Sequence, residues 1–272
     1  MVTVMLLAIV ILLAGCGADP DNGNTGTDTG GASGQTETDN QMTVELTISA
    51  AASLKDALME LQKQFEADHD NIKLLFNFAA SGALQQQIEQ GAPADLFISA
   101  APKHISELVQ KGMIKGNNYT DLLKNELVVV VPADQQAVTE LVDLQSEPVR
   151  HIAIGIPESV PAGEYAKAAL ESAGLWEALQ PKLVQAKDVR SVLQYVETGN
   201  ADAGFVYRTD ALSSDHVKIA FAAEERAYPP VIYPMGLIAG SSHPEQARAL
   251  YDYLQTDGTV AIFEKHGFGS AS

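Results

Sequence analysis

The chain is short of cysteine, of arginine and of long apolar runs, and each shortage excludes something. One cysteine, Cys16, occurs in 272 residues, so neither an internal disulfide nor a thiolate metal cluster can form. Five arginines and a formal net charge of −18 argue against nucleic acid as a partner. The same charge argues against long-range steering of an anion, so any anion site has to act through local dipoles and hydrogen bonds. The sequence contains no Gly-x-Ser-x-Gly elbow, no His-Glu-x-x-His pair and no Gly-x-x-x-x-Gly-Lys loop. Those absences remove the common serine-hydrolase, zinc-protease and nucleotide-hydrolysing signatures. His69, His104, His151, His216, His243 and His266 are scattered singly in polar contexts, as surface histidines are. No internal repeat of fixed period and no heptads occur.

The one long apolar run, Val2 to Gly15, is shorter than the ~20 residues of a membrane-spanning helix and fits the core of a secretion signal. Leu13-Ala14-Gly15-Cys16 resembles a bacterial lipoprotein box, although no Lys or Arg precedes Lys55. The expectation is a signal over 1–16 with lipidation at Cys16, and an extracytoplasmic protein anchored to the cell membrane. Residues 17–42 are rich in Gly, Asn, Asp, Thr and Ser; such a composition cannot bury a core and predicts a disordered tether.

The remaining body alternates strand-like and helix-like patterns. Strands are predicted at 44–49, 73–78, 96–99, 127–131, 152–156, 203–206 and 232–238. Helices are predicted at 53–68, 82–90, 102–111, 163–173, 178–180, 189–198 and 244–254. This is an α/β pattern with mainly parallel sheets. The run Glu126 to Pro132 would carry the chain into a second αβ unit, and Tyr228 to Pro234 would bring it back. The fold expected is therefore α/β and bilobal, with two αβ lobes joined by two hinge strands. The first lobe would hold 43–125 and 228–272, the second 126–227.

In such sheets ligands sit beyond the carboxyl ends of strands, where helix N-termini gather. Ser53, in Ala-Ala-Ala-Ser-Leu, and Ser81, in Ala-Ala-Ser-Gly-Ala-Leu, each follow a strand-like run and open a helix-like one. A serine there caps a helix, and the helix end offers free N–H groups and partial positive charge. Two such ends suit an oxyanion, although most capping serines do no more than start a helix. Val160-Pro161-Ala162-Gly163 could present the Ala162 N–H at another helix start. Lys187-Asp188-Val189-Arg190 opens a further helix, with Asp188 a candidate cap and Val189, Val192 and Val196 on one face. Tyr207 ends a strand in a phenol able to donate one hydrogen bond. Asp95, a carboxylate with no partner in view, reads as a cap or turn residue.

Taken together, Ala50 to Leu54, Gly91 to Ala100, Val160 to Ala166 and Gly204 to Ala211 resemble the molybdate-binding protein (ModA) family, the substrate-binding components of molybdate ABC transporters. The similarity covers Val44 to about Gly267. It implies a type II periplasmic-binding-protein fold with the ligand in the cleft. It further implies a non-catalytic monomer that takes molybdate or tungstate, needs no cofactor, and delivers the anion to an ABC permease. By the same resemblance the oxyanion would be held by Ser53 and Ser81 through hydroxyl and N–H, by the N–H groups of Ala162 and Val189, and by the Tyr207 hydroxyl. Two alternatives stand beside it: a binding protein for sulfate, another oxyanion or a small organic acid, and an exported serine hydrolase using Ser53 or Ser81 with one of the histidines.

Overall fold

The computed structural model describes residues 43–135 and 138–271; the expected signal and tether, with Cys16, lie outside them. The element order is β1 (Val44–Ala51), α1 (Lys55–Asp68), β2 (Ile72–Ala79), α2 (Ser81–Glu89), β3 (Leu96–Ile98), α3 (Pro102–Gln110), β4 (Ile114–Asn125) and β5 (Leu127–Pro132). It continues through β6 (Ile152–Gly155), α4 (Pro161–Ser172), α5 (Trp176–Leu179), β7 (Leu183–Ala186), α6 (Val189–Glu197), β8 (Ala203–Tyr207), α7 (Arg208–Leu212) and β9 (Val217–Ala222). The chain ends with β10 (Val231–Ile238), α8 (Pro244–Tyr253), α9 (Asp257–Lys265) and β11 (Gly269–Ser270).

The strands form two sheets, ordered β11-β4-β10-β3-β1-β2 and β7-β6-β8-β5-β9. The chain leaves the first sheet between Asn125 and Leu127 and returns between Ala222 and Val231. Both sheets are mixed, where the sequence pattern had pointed to mainly parallel ones. β2, β1 and β3 run parallel, as do β7, β6 and β8. β4 and β10 in the first sheet, and β5 and β9 in the second, pair antiparallel. The antiparallel strands are those by which the chain enters or leaves a lobe; the parallel ones are linked by helical crossovers.

Apolar periodicity accounts for the helices that cover the sheets. Leu54, Leu58, Leu61 and Phe65 recur at helical spacing and are all buried on one side of α1. Val189, Val192 and Val196 do the same for α6. The continuous run Leu127 to Val131 is buried throughout, because β5 lies between β8 and β9 inside its sheet. Leu84 and Ile88 of α2 meet Phe97, Ile105, Leu108 and Ile114 in a smaller second core.

Four strands and two helices went unpredicted: β4, β7, β9, β11, α7 and α9. β4 reads Ile-Lys-Gly-Asn-Asn-Tyr-Thr-Asp-Leu-Leu-Lys-Asn, a polar, loop-like sequence held by its long antiparallel ladder with β10. β7 and β9 are the edges of the second sheet, and α7 has only five residues.

The start of α4 is pressed against the end of β6. A Cβ placed on Gly163 would lie 2.0 Å from the Gly155 carbonyl oxygen and 2.4 Å from its carbon. Only a bare Cα permits this approach, which sets where the first turn of α4 points. Gly163→Ala is therefore expected to destabilise the protein by ~1–3 kcal/mol, the usual range for overpacking. Urea unfolding checks this, and an unchanged midpoint would mean that the helix start can shift freely.

Candidate functional site

The carboxyl ends of all six parallel strands open on one small cavity. Beyond β1 lies Ser53, beyond β2 Ser81 and beyond β3 Ala100; beyond β6 lies Ala162, β7 leads to Val189, and β8 ends at Tyr207. All five residues singled out from the sequence line this cavity together. The two sheets contribute from opposite sides, and the lobes touch around it. The Gly82 N–H donates to the Ser159 carbonyl at 3.0 Å, and the Tyr165 hydroxyl reaches the Ala100 carbonyl at 3.4 Å. A Cβ on Gly82 would come within 2.7 Å of that Ser159 oxygen, so this glycine is what lets the lobes meet there.

The serines sit at helix starts but do not cap them, contrary to the expectation. Ser53 lies within a tight 3-10 turn, Ala52–Leu54, that precedes α1 and has no side-chain cap. Its Oγ is 2.8 Å from the Tyr233 hydroxyl. Ser81 is the first residue of α2, and Ala80 occupies the cap position. The Ser81 Oγ accepts from the Ala100 N–H at 2.9 Å. Each hydroxyl oxygen is thus engaged by a neighbour beside the cavity.

This engagement sets the direction in which the hydroxyls act. Asn125 Nδ2 donates to the Tyr233 oxygen at 3.2 Å and to Thr209 Oγ1 at 2.9 Å. Tyr233, receiving there, is placed to donate its O–H in the hydrogen bond that it shares with Ser53 Oγ. With its oxygen accepting, the Ser53 O–H is left to donate into the cavity. Ser81, accepting from Ala100, is left in the same state. The Tyr207 hydroxyl is buried and has no hydrogen-bond partner among the described residues. Burial holds its pKa well above the ordinary phenol value, so it stays protonated and remains a donor.

Backbone donors complete the lining. The first N–H groups of a helix have no intrahelical acceptor. In α4, Pro161 has no N–H, while Gly163 and Glu164 both donate to the Val160 carbonyl. Ala162 is left as the N–H of that turn facing the cavity. In α6, Asp188 does cap the helix, accepting from the Ser191 N–H at 2.7 Å, and Val189 carries the first helical N–H. No Lys, Arg or His lines the cavity. The polar lining is made of donors and partial positive charge from helix starts.

Several residues that shape the site gave no local signal. Tyr233 and Asn125 lie on or beside the crossing strands and are joined to Ser53 only through the fold. Asp210 is completely buried, accepts from the Tyr207 N–H at 3.3 Å and lies 3.5 Å from the Arg190 guanidinium. His104 is buried rather than at the surface, with its pKa pushed down to about 4 by desolvation; only His151 and His216 are exposed. Asp95 is a tie between segments: it accepts from the Thr47 N–H at 2.7 Å and from the Ser241 hydroxyl at 2.6 Å. Among the described residues no cluster of His, Cys, Asp or Glu is placed to hold a metal ion.

Asp210 makes stability depend on pH. Burial pushes its carboxyl up to about 7, with Arg190 pulling the other way. A carboxyl raised above its unfolded value binds more protons when folded. Its contribution is full below the unfolded pKa and is lost as pH rises through about 7, at no more than ~1.4 kcal/mol per pH unit. Asp210→Asn should remove this slope, so the variant gains on wild type between pH 5 and pH 8 in urea unfolding. Parallel profiles for the two proteins would show that the carboxyl does not titrate there.

The chain is similar to known solute-binding proteins. Residues 46–269 match the family model described as bacterial extracellular solute-binding protein. A Bacillus subtilis protein named as an ABC transporter substrate-binding lipoprotein, YvgL, is 45% identical over 96% of this chain and 95% of its own. The molybdate-binding protein ModA of Escherichia coli is 38% identical over 82% of this chain and 88% of its own. A solved Clostridium difficile structure, titled as a molybdenum ABC transporter's substrate-binding domain, aligns with a TM-score of 0.66 at 42% identity, over 85% of this chain and 100% of that one. Two mixed sheets flanking a cleft are the bilobal type II periplasmic-binding-protein fold, and the chain belongs to the ModA-like family of bacterial extracellular solute-binding proteins.

Proposed function

We propose that this protein is the extracytoplasmic receptor of an ABC importer, that it captures molybdate and equally tungstate between its lobes, and that it hands the anion to a membrane permease. Ser53 and Ser81 hold it through hydroxyl and N–H, Ala162 and Val189 through N–H, and Tyr207 through its hydroxyl. The lobes comprise 43–125 with 228–272, and 126–227; the protein acts as a monomer tethered through lipidated Cys16. The observation that carries the reading is the unpartnered Tyr207 hydroxyl, buried where all six parallel strand ends meet.

A dianion taken from water into this cavity loses a large hydration energy. Several charge-assisted hydrogen bonds and the converging helix starts replace it. A lining rich in donors, with no carboxylate and no histidine, favours a fully deprotonated tetrahedral oxyanion, because protonated phosphate meets only hydroxyl oxygens, weak acceptors, for its O–H. Sulfate has the same charge and shape, so cavity size must separate it from molybdate. Molybdate and tungstate are nearly equal in size and are not separated. The hydrolase alternative lacks a base: no histidine lines the cavity, and both serine oxygens are engaged by groups that cannot take a proton from them.

Isothermal titration of the protein with molybdate, tungstate, sulfate and phosphate tests the reading. Molybdate and tungstate should bind most tightly, and phosphate hardly at all. Tightest binding of sulfate, or no binding of any of the four, would overturn it. Ser53→Ala and Ser81→Ala should each weaken molybdate binding by ~1.5–3 kcal/mol, the usual worth of a hydrogen bond to a charged group. Tyr207→Phe should cost a similar amount, and Tyr207→Ala more because it also opens a cavity. Wild-type affinity in Tyr207→Phe would place the phenol outside the site.

Anchoring is tested separately by fractionating cells that express the chain behind a complete signal. Cys16→Ala should move the protein from the membrane to the soluble fraction. Retention at the membrane would rule out lipid attachment at this cysteine.

A further inference from the structure

Arg190 follows Val189 in α6, and its guanidinium reaches two other segments, α1 and α7. One terminal nitrogen, Nη2, donates to Asp56 Oδ2. The other, Nη1, donates to the Ser213 hydroxyl at 2.6 Å and lies 3.5 Å from Asp210 Oδ1. Asp56 stands three residues after Ser53 in α1, against the first sheet; Asp210 stands three residues after Tyr207, against the second. One side chain therefore joins the segments that carry Ser53, Val189 and Tyr207, and it does so across the cleft. Its environment is partly dry: the side chain is 25% exposed and Asp210 not at all.

We infer that Arg190 is a positioning residue that clasps the lobes in the closed arrangement and offsets two carboxylates beside the site, Asp56 and Asp210, without touching the anion itself. The inference rests on the oxyanion reading of the cavity. Asp56 and Asp210 bring negative charge toward a site meant for a dianion. The guanidinium sits on both and cancels their field where the lobes meet. Opening the cleft separates Arg190 from Asp56, so the clasp acts on escape of the anion more than on its entry. An exposed ion pair contributes little, whereas losing the partner of a buried carboxylate costs far more. Lys103 of α3 and Glu164 of α4 also bridge the cleft. Their side chains are 38% and 43% exposed, and no buried charge depends on them, so this pair serves as the control.

Stopped-flow and equilibrium binding of molybdate to the full chain test the clasp. Arg190→Gln should raise the dissociation rate roughly tenfold or more while the association rate changes far less, as expected when a partly buried charge pair is broken. Asp56→Asn should raise it less. The double variant should dissociate no faster than Arg190→Gln alone, because its second change also removes a repelling charge. Arg190→Lys should recover part of the loss, and Lys103→Gln should sit close to wild type. Strictly additive effects of Asp56→Asn and Arg190→Gln would reduce Arg190 to a support of its own lobe and overturn the inference.

A second readout works with whichever anion closes the cleft. Spin labels at the exposed positions Lys63→Cys and Glu171→Cys, in a Cys16→Ser background, report the separation of the lobes. Arg190→Gln should shrink the short-distance population relative to the parent, both with and without added molybdate. If molybdate fails to bind but sulfate closes the parent and Arg190→Gln reopens it, the molybdate reading fails and the clasp stands. Distances and dissociation rates that ignore the substitution would overturn the clasp while leaving the molybdate reading intact.

Discussion

A hydroxyl buried with nothing to bond is costly, and Tyr207 keeps one where six strand ends converge. The rest of the site is organised so that this donor has company. Asn125 donates to Tyr233, Tyr233 shares a hydrogen bond with Ser53, and Ala100 donates to Ser81. A serine oxygen that accepts in such a link keeps its own O–H for the ligand. The helix starts add N–H groups whose orientation follows from the strand-to-helix turns. Gly163 is bare because the Gly155 carbonyl lies where its side chain would be, and Gly82 is bare because the opposite lobe arrives there. Donor chemistry and close packing are thus one arrangement seen from two sides.

A chain with a formal charge of −18 is an unexpected host for an anion, and the structure resolves this by scale. The overall field repels at long range and is screened within about a Debye length, roughly 8–10 Å in physiological salt. Inside the cavity, local dipoles act at hydrogen-bond distance in a medium of low polarisability, where they count for more. The guanidinium of Arg190, next in sequence to Val189, does not line the cavity and is engaged with carboxylates. A direct cation would bind any anion strongly. A ring of neutral donors depends on shape and protonation state and so selects among anions.

Much of this was legible in the sequence, and what was not follows a rule. Apolar periodicity located α1, α2 and α6, and apolar runs located β1, β3, β5 and β8, because burial leaves a local mark. Ser53, Ser81, Ala162 and Tyr207 stood out because strand-to-helix junctions carry recognisable residues, and Val189 was singled out as a donor through the family resemblance. β4 escaped notice because a polar strand is held by its ladder partner rather than by its own composition. Tyr233, Asn125, Asp210 and Arg190 escaped notice because their roles arise only when distant segments meet: Ser53 and Tyr233 are 180 residues apart, Asp56 and Arg190 134. The serines were read as caps because the sequence shows that a helix begins there and not where the hydroxyl turns.

The central claim is that backbone N–H groups at four helix starts and three hydroxyls hold the anion with no cationic side chain in contact. Amide correlation spectra recorded during titration with molybdate test it most directly. The account predicts that the amide protons of Ser53, Ser81, Ala162 and Val189 move downfield together, as N–H groups do on bonding to an anionic oxygen, and saturate at a single equivalent. Saturable binding that leaves these four amides in place, while resonances of lysine or arginine side chains shift instead, would contradict it.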